Sequence, residues 1–124
     1  MHHIAFNQIV ERTMQLHTEA GLDRIFQALS DTTRRSILRR VVQDELTISE
    51  IAGPYALTFA AISKHLKVLE QAGLVGRRKN GSFQMIHLKP EAMKSANEWL
   101  RFYERFWSTR LGALKTLLET GEIP

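Results

Sequence analysis

An amphipathic helix running straight into a two-stranded hairpin governs what this chain can become. Residues 57–88 read LTFAAISKHLKVLEQAGLVGRRKNGSFQMIHL. At 100° per residue, Phe59, Leu66 and Leu69 fall within about 60° of Ile62, which defines one apolar face. Ala60, Ser63, Lys64, Lys67 and Gln71 fall on the far side. Thr58 is placed to cap the first turn, because its hydroxyl can accept a backbone N–H. Gly73 is placed to end the helix near Ala72. Leu74–Lys79 and Ser82–Leu88 then read as strands. Asn80-Gly81 joins them, the strongest short hairpin signal, since both turn residues take positive φ. Helix and hairpin together predict a winged helix-turn-helix.

The remaining segments fit that frame. Leu22–Leu29 is a short helix with Leu22, Ile25, Phe26 and Leu29 on one face. Ser30-Asp31 breaks it, and Asp31 can cap the next helix, about Thr32 to Gln43. That helix is expected to bury Ile37, Leu38, Val41 and Val42 and to expose Arg34, Arg35, Arg39 and Arg40. Thr47-Ile48-Ser49-Glu50 is a capping box that opens a short helix. Gly53-Pro54 stops it, because the residue before proline avoids the α region. Pro90 opens a last long helix, to about Glu119. Ile4, Phe6, Ile9, Val10 and Met14 are apolar without a clean period. The expected organisation is an N-terminal arm (1–21), the winged helix-turn-helix (22–90) and a C-terminal dimerisation helix with a tail (91–124). The fold class is mainly α with a small β-hairpin, dimerising through terminal helices.

The outward face of the 59–72 helix suits a major groove, where small residues permit close approach. Lys64 and Lys67 reach phosphates or guanine edges, and Ser63 donates or accepts at either. Thr58 and Ala60 complete the candidate contact face. The bland alternative for one such helix is a solvated surface. The attached basic hairpin tip, Arg77-Arg78-Lys79, argues against it. Alternation sends Arg77 and Lys79 to one face and Arg78 to the other, so one face can track a phosphate backbone. An edge hairpin kept soluble by charge is the competing reading, and no acid interleaves the cluster. His65 is expected to be a half-buried packing residue with one hydrogen bond rather than a base reader.

Charge distribution agrees. Residues 30–81 carry nine Lys/Arg against five acids, whereas residues 91–124 carry five of each. The positive excess lies where a nucleic acid would sit. The formal net charge is +4 and there are no cysteines, which excludes disulfides and thiolate metal sites built from this chain alone. No apolar run approaches the roughly 18 residues of a membrane span, and Met1-His2-His3-Ile4 is too short and polar for a signal peptide. Cytoplasm is the expected compartment. No nucleophile elbow, phosphate loop, metal motif or carboxylate pair appears, so no catalytic residue, cofactor or metal is assigned.

Three segments carry a resemblance. Ala28–Leu38 (ALSDTTRRSIL), Leu46–Ala52 (LTISEIA) and Ile62–Val75 (ISKHLKVLEQAGLV) resemble the ArsR-type winged-helix repressors. The resemblance spans about residues 22–119. It implies a homodimer that binds an imperfect palindrome in promoter DNA and releases it when a signal binds. Metal-sensing members carry a Cys-x-Cys pair where this chain has Thr47 and Ser49, and hydroxyls are poor ligands for soft metals. A second metal site of the family uses clusters on the C-terminal helix, but Met93–Glu119 has no histidine. The chain therefore resembles the subgroup without the metal motif, and a small organic effector, a partner protein or simple autoregulation by abundance all stay open. The turn before the recognition helix has Ala56 where the family often has Gly, Asp or Asn. A left-handed Ala56 would cost about 1 kcal/mol.

Trp99, Phe102, Tyr103, Phe106, Trp107, Leu111, Leu114, Leu117 and Leu118 form an apolar stripe too broad for a small three-helix core. Half is expected against the domain and half against a second subunit, with Leu22, Ile25 and Phe26 in the same interface. An aromatic ligand cage is the rival. The leading functional reading is a DNA-binding transcriptional regulator with double-stranded DNA as partner. The alternative is a winged helix used as a protein-interaction or RNA-binding module.

Overall fold

The computed structural model describes residues 18–121. Ile4, Phe6, Ile9, Val10 and Met14 lie outside them. Helix α1 (Glu19–Leu29) starts three residues before the expected position, because Thr18 supplies the cap by accepting from the Gly21 N–H at 3.0 Å. The helix therefore begins within the segment read as the arm. α2 (Thr32–Gln43) is capped by Asp31, whose Oδ2 accepts from the Arg34 N–H at 2.9 Å. α3 (Ile48–Ala52) carries the expected capping box: the Thr47 N–H donates to Glu50 Oε1 at 3.0 Å, and the Glu50 N–H donates to Thr47 Oγ1 at 3.1 Å. The Thr47 N–H holds the Glu50 carboxyl below its ordinary range, with the Thr47 hydroxyl adding to it.

α4 (Phe59–Gln71) is capped by Thr58, which accepts from the Ala61 N–H at 3.1 Å. It ends in a paired lock. Gly73, at φ 75°, donates to the Glu70 carbonyl and Leu74 donates to the Leu69 carbonyl, both at 3.0 Å. This is a Schellman ending, and its apolar partners Leu69 and Leu74 are both fully buried. The chain then enters β2 (Val75–Asn80) and β3 (Phe83–Leu88), and α5 (Pro90–Thr120) follows with proline in its first turn.

The sheet has a third strand that no sequence period announces. β1 (Leu46–Thr47) pairs antiparallel with β3, Leu46 opposite Ile86 and Thr47 opposite Met85, giving the order β1-β3-β2. Asn80 pairs with Phe83, so the hairpin turn is Gly81-Ser82 rather than Asn80-Gly81. Gly81 has φ 63°, and no non-glycine residue described has positive φ. One leading glycine meets the need of a II′-type hairpin turn, so Asn80 stays in the strand. Ala56 is likewise not left-handed and carries no such strain.

The core lies between α2, α4, α1 and the inner face of the sheet. Ile25, Ile37, Ile51, Ile62, Leu66, Leu69, Leu74 and Ile86 are fully buried. The period of α2 holds for Ile37, Leu38 and Val41, but Val42 is 59% exposed. α1 packs on α5 and α4, and α2 on β3 and α4. Only the first turns of α5 join the domain, through buried Ala92, Ser95 and Ala96.

Candidate nucleic-acid interface

α4 is fixed from behind by Ile62, Leu66 and Leu69. That orientation leaves Ala60, Lys64 and Lys67 exposed and Ser63 half-buried on the outward side. Thr58 stands at the exposed start of the helix, committed to its cap. Phe59, expected on the buried face, is 60% exposed. At the first helical position it precedes the turn that meets the core, so angular position alone does not bury it.

Of the four arginines expected to be exposed on α2, Arg34 and Arg40 are half-buried, and these two together with the exposed Arg35 brace the scaffold. Arg34 donates from Nε to the Ala28 carbonyl at 2.8 Å and from Nη2 to the Gln27 carbonyl at 3.0 Å. Arg35 donates to the Leu29 carbonyl at 2.8 Å. Both satisfy carbonyls at the C-terminal end of α1, where cations are favoured. Arg40 does the same for α3, donating to the Ile51 and Glu50 carbonyls at 2.8 and 2.7 Å. Its guanidinium lies 5.5 Å from the centre of the Tyr55 ring, and the Tyr55 hydroxyl meets Ser36 Oγ at 2.7 Å. Arg39 remains exposed.

His65 is half-buried, with Nδ1 3.2 Å from Arg34 Nη1 and 3.7 Å from Asp31 Oδ2. His65 thus sits between a guanidinium and a carboxylate. The packing role expected for His65 matches this geometry. The backbone N–H of Arg34 holds the Asp31 carboxyl below its ordinary range; His65 and Arg34 nearby add to that, and partial burial opposes it. One cluster thus ties the start of α2 to the middle of α4.

The wing holds its arginines more tightly than sequence suggested. Arg77 donates from Nε to Glu70 Oε1 at 2.8 Å and from Nη1 to Gln84 Oε1 at 3.1 Å, with Nη2 2.7 Å from the same Glu70 oxygen. Arg78, on the opposite face, pairs with Glu45. No acid interleaves the cluster in sequence, yet two acids reach it from other elements. Lys79 is exposed and, like Lys64 and Lys67, has no ion pair among the described residues. The free cations of the face are therefore lysines on α4 and at the wing end.

The apolar stripe is a second surface. Trp99, Phe102, Tyr103, Phe106, Trp107, Leu111 and Leu114 are all exposed. The domain covers less of it than expected: Trp99 meets Phe26 edge-on, ring centres 5.5 Å apart, and beyond it α5 projects alone. Of the α1 residues read as interface, Ile25 is fully buried and Leu22 nearly so inside the protomer, so neither offers a surface. Phe26 is half-buried against the core. Among the described residues no group of three His, Cys, Asp or Glu side chains is placed to hold a metal ion. None of their helices is long and apolar enough to cross a membrane.

A recognition helix behind a short capped helix, followed by a basic hairpin, defines a winged helix-turn-helix DNA-binding domain. Residues 31–76 match the family described as "Bacterial regulatory protein, arsR family". The HTH-type transcriptional regulator Rv2034 of Mycobacterium tuberculosis is 35% identical over 105 residues, covering 85% of this chain and 95% of that protein. The transcriptional repressor SdpR of Bacillus subtilis is 29% identical over 79 residues, covering 64% and 88%. Among solved structures, the ArsR family transcriptional regulator RHA00566 aligns with a TM-score of 0.68 at 31% identity, covering 73% of this chain and 94% of that one. The homodimeric winged helix-turn-helix DNA-binding domain of Mb0332 from Mycobacterium bovis aligns with a TM-score of 0.55 at 25% identity, covering 69% and 82%. The chain belongs to the ArsR family and is a DNA-binding transcriptional regulator.

Proposed function

We propose that the protein is a homodimeric repressor that binds an imperfect palindrome in promoter DNA. The carrying observation is that α4 presents Ser63, Lys64 and Lys67 outward while its back is locked in the core. Lys67 and Ser63 read base edges, and Lys64 with Lys79 holds phosphates. Arg77 and Arg78 brace the wing through Glu70 and Glu45. The apolar stripe of α5 supports a second copy as the partner, as does the homodimer reported for the Mb0332 domain. Repression, rather than activation, follows the similarity to SdpR. A promoter-binding protein of this family acts in the cytoplasm, where the DNA is. With no cysteine in the chain, the signal is not sensed by thiolate metal binding; a small organic effector is the chemistry to titrate. Binding-site selection with wild type and Lys67→Ala tests the reading. The variant is expected to lose about 1–3 kcal/mol of specific affinity and to relax preference at one or two base pairs. An unchanged consensus and specificity ratio would assign base reading to another face.

A further inference from the structure

The start of the recognition helix is apolar and uncovered. Phe59 is 60% exposed and Leu57, two residues before it, is 44% exposed. Thr58 between them spends its hydroxyl on the Ala61 N–H. Ala60, also exposed, adds a methyl group. Leu57, Phe59 and Ala60 therefore offer no side-chain donor or acceptor. Yet the N-terminal residues of a helix-turn-helix recognition helix are the ones that meet base edges. Lys64 and Lys67 lie one and two turns beyond Ala60 on the same exposed side of the helix, so Ala60 continues the charged part of the contact face, and the exposed Phe59 and Leu57 flank it at the tip where the helix starts.

We infer that this tip reads thymine through its C5-methyl group in the major groove, with Phe59 as the reading side chain. The inference rests on α4 being the base-reading helix. Among the four bases only thymine carries an apolar group into the major groove, and a phenyl ring contacts it without leaving a polar atom unpaired. Hydrogen-bond readout is not available to these three side chains, so selectivity at their positions comes from apolar contact. Leu57, half a turn away in the approach to the helix, shields the same region from water.

The test replaces each thymine of the selected duplex, one at a time, with deoxyuridine, which deletes only the methyl group. Full-length wild type is expected to lose about fourfold in affinity at one or two positions, the equivalent of one buried methyl group. Phe59→Ala is expected to bind thymine and uracil versions of those positions equally, with an unchanged salt slope and unchanged sedimentation. Wild type indifferent to uracil at every position would overturn the inference, as would Phe59→Ala that kept the full discrimination. A changed assembly state of Phe59→Ala would assign the ring to a protein contact and overturn it as well. The two levels separate cleanly. If Lys67→Ala leaves the selected consensus unchanged, α4 is not the reader; if Lys67→Ala relaxes it and uracil is silent, only the methyl reading fails.

Discussion

Lys79 extends from the end of β2 without an anionic partner among the described residues, whereas Arg77, two residues earlier on the same face, is held between Glu70 and Gln84. A lysine in solvent that moves onto a phosphate releases a condensed counterion; an arginine that keeps its carboxylate releases none. Lys79→Ala is expected to flatten the slope of log K against log salt by about one unit. Arg77→Ala is expected to lower affinity by loosening the wing while leaving the slope nearly as it was. Titrations across a salt series measure both, and equal flattening would show that the Arg77 guanidinium leaves Glu70 for the DNA. The pairs behind this difference could not be read from the chain, because Arg78 finds Glu45 from 33 residues away and only the folded sheet brings them together. The caps were legible for the opposite reason. Asp31, Thr47, Glu50 and Thr58 each act on a backbone group three residues distant, so type and spacing suffice.

At the scale of elements, α4 depends on how it stops as much as on how it starts. Gly73 reverses the chain at φ 75°, so that Leu74 drops into the core beside Leu69 and β2 leaves in the direction of the wing. A Cβ there meets the left-handed penalty, and Gly73→Ala is expected to lower stability by about 1 kcal/mol. Urea unfolding would show a lower midpoint with an unchanged m-value; an unshifted midpoint would mean that the turn relaxes to another conformation at no cost. Helices α1 to α5 and both wing strands were legible because each carries a period or a punctuating residue. β1 was not, since two residues cannot display a period, and its existence depends on Ile86 and Met85 of a distant strand. The turn was misplaced by one residue because Asn-Gly and Gly-Ser overlap in Asn80-Gly81-Ser82, and the pairing of Asn80 with Phe83 selects the second. Phe59 was misassigned because angular position says nothing about how far along the helix the core reaches.

The whole molecule carries two surfaces, and the proposed homodimer would use them together. One recognition helix contacts a few base pairs, and selectivity for a palindrome needs two helices about 34–36 Å apart, one DNA turn. The helix that would hold them, α5, has 31 residues and is therefore roughly 46 Å long. Its first turns are sunk in the domain and the rest projects as an aromatic and leucine surface. Within that surface Phe102 stacks edge-on with Tyr103 and lies near Phe106, while Arg105 lies over both phenyl rings. Phe106 is exposed in the protomer, so replacing it leaves the core untouched. Phe106→Glu would bury a carboxylate between subunits without a designed partner, at a cost of about 3–5 kcal/mol to association. The expected product is a folded monomer at micromolar concentration that keeps weak, salt-sensitive affinity for any duplex and loses its preference for the palindrome. Sedimentation reports the assembly state, circular dichroism the fold and a gel shift the selectivity. A variant that stays dimeric places the interface away from Phe106. A folded monomer that binds the palindrome as tightly as wild type breaks the link between pairing of subunits and recognition of DNA.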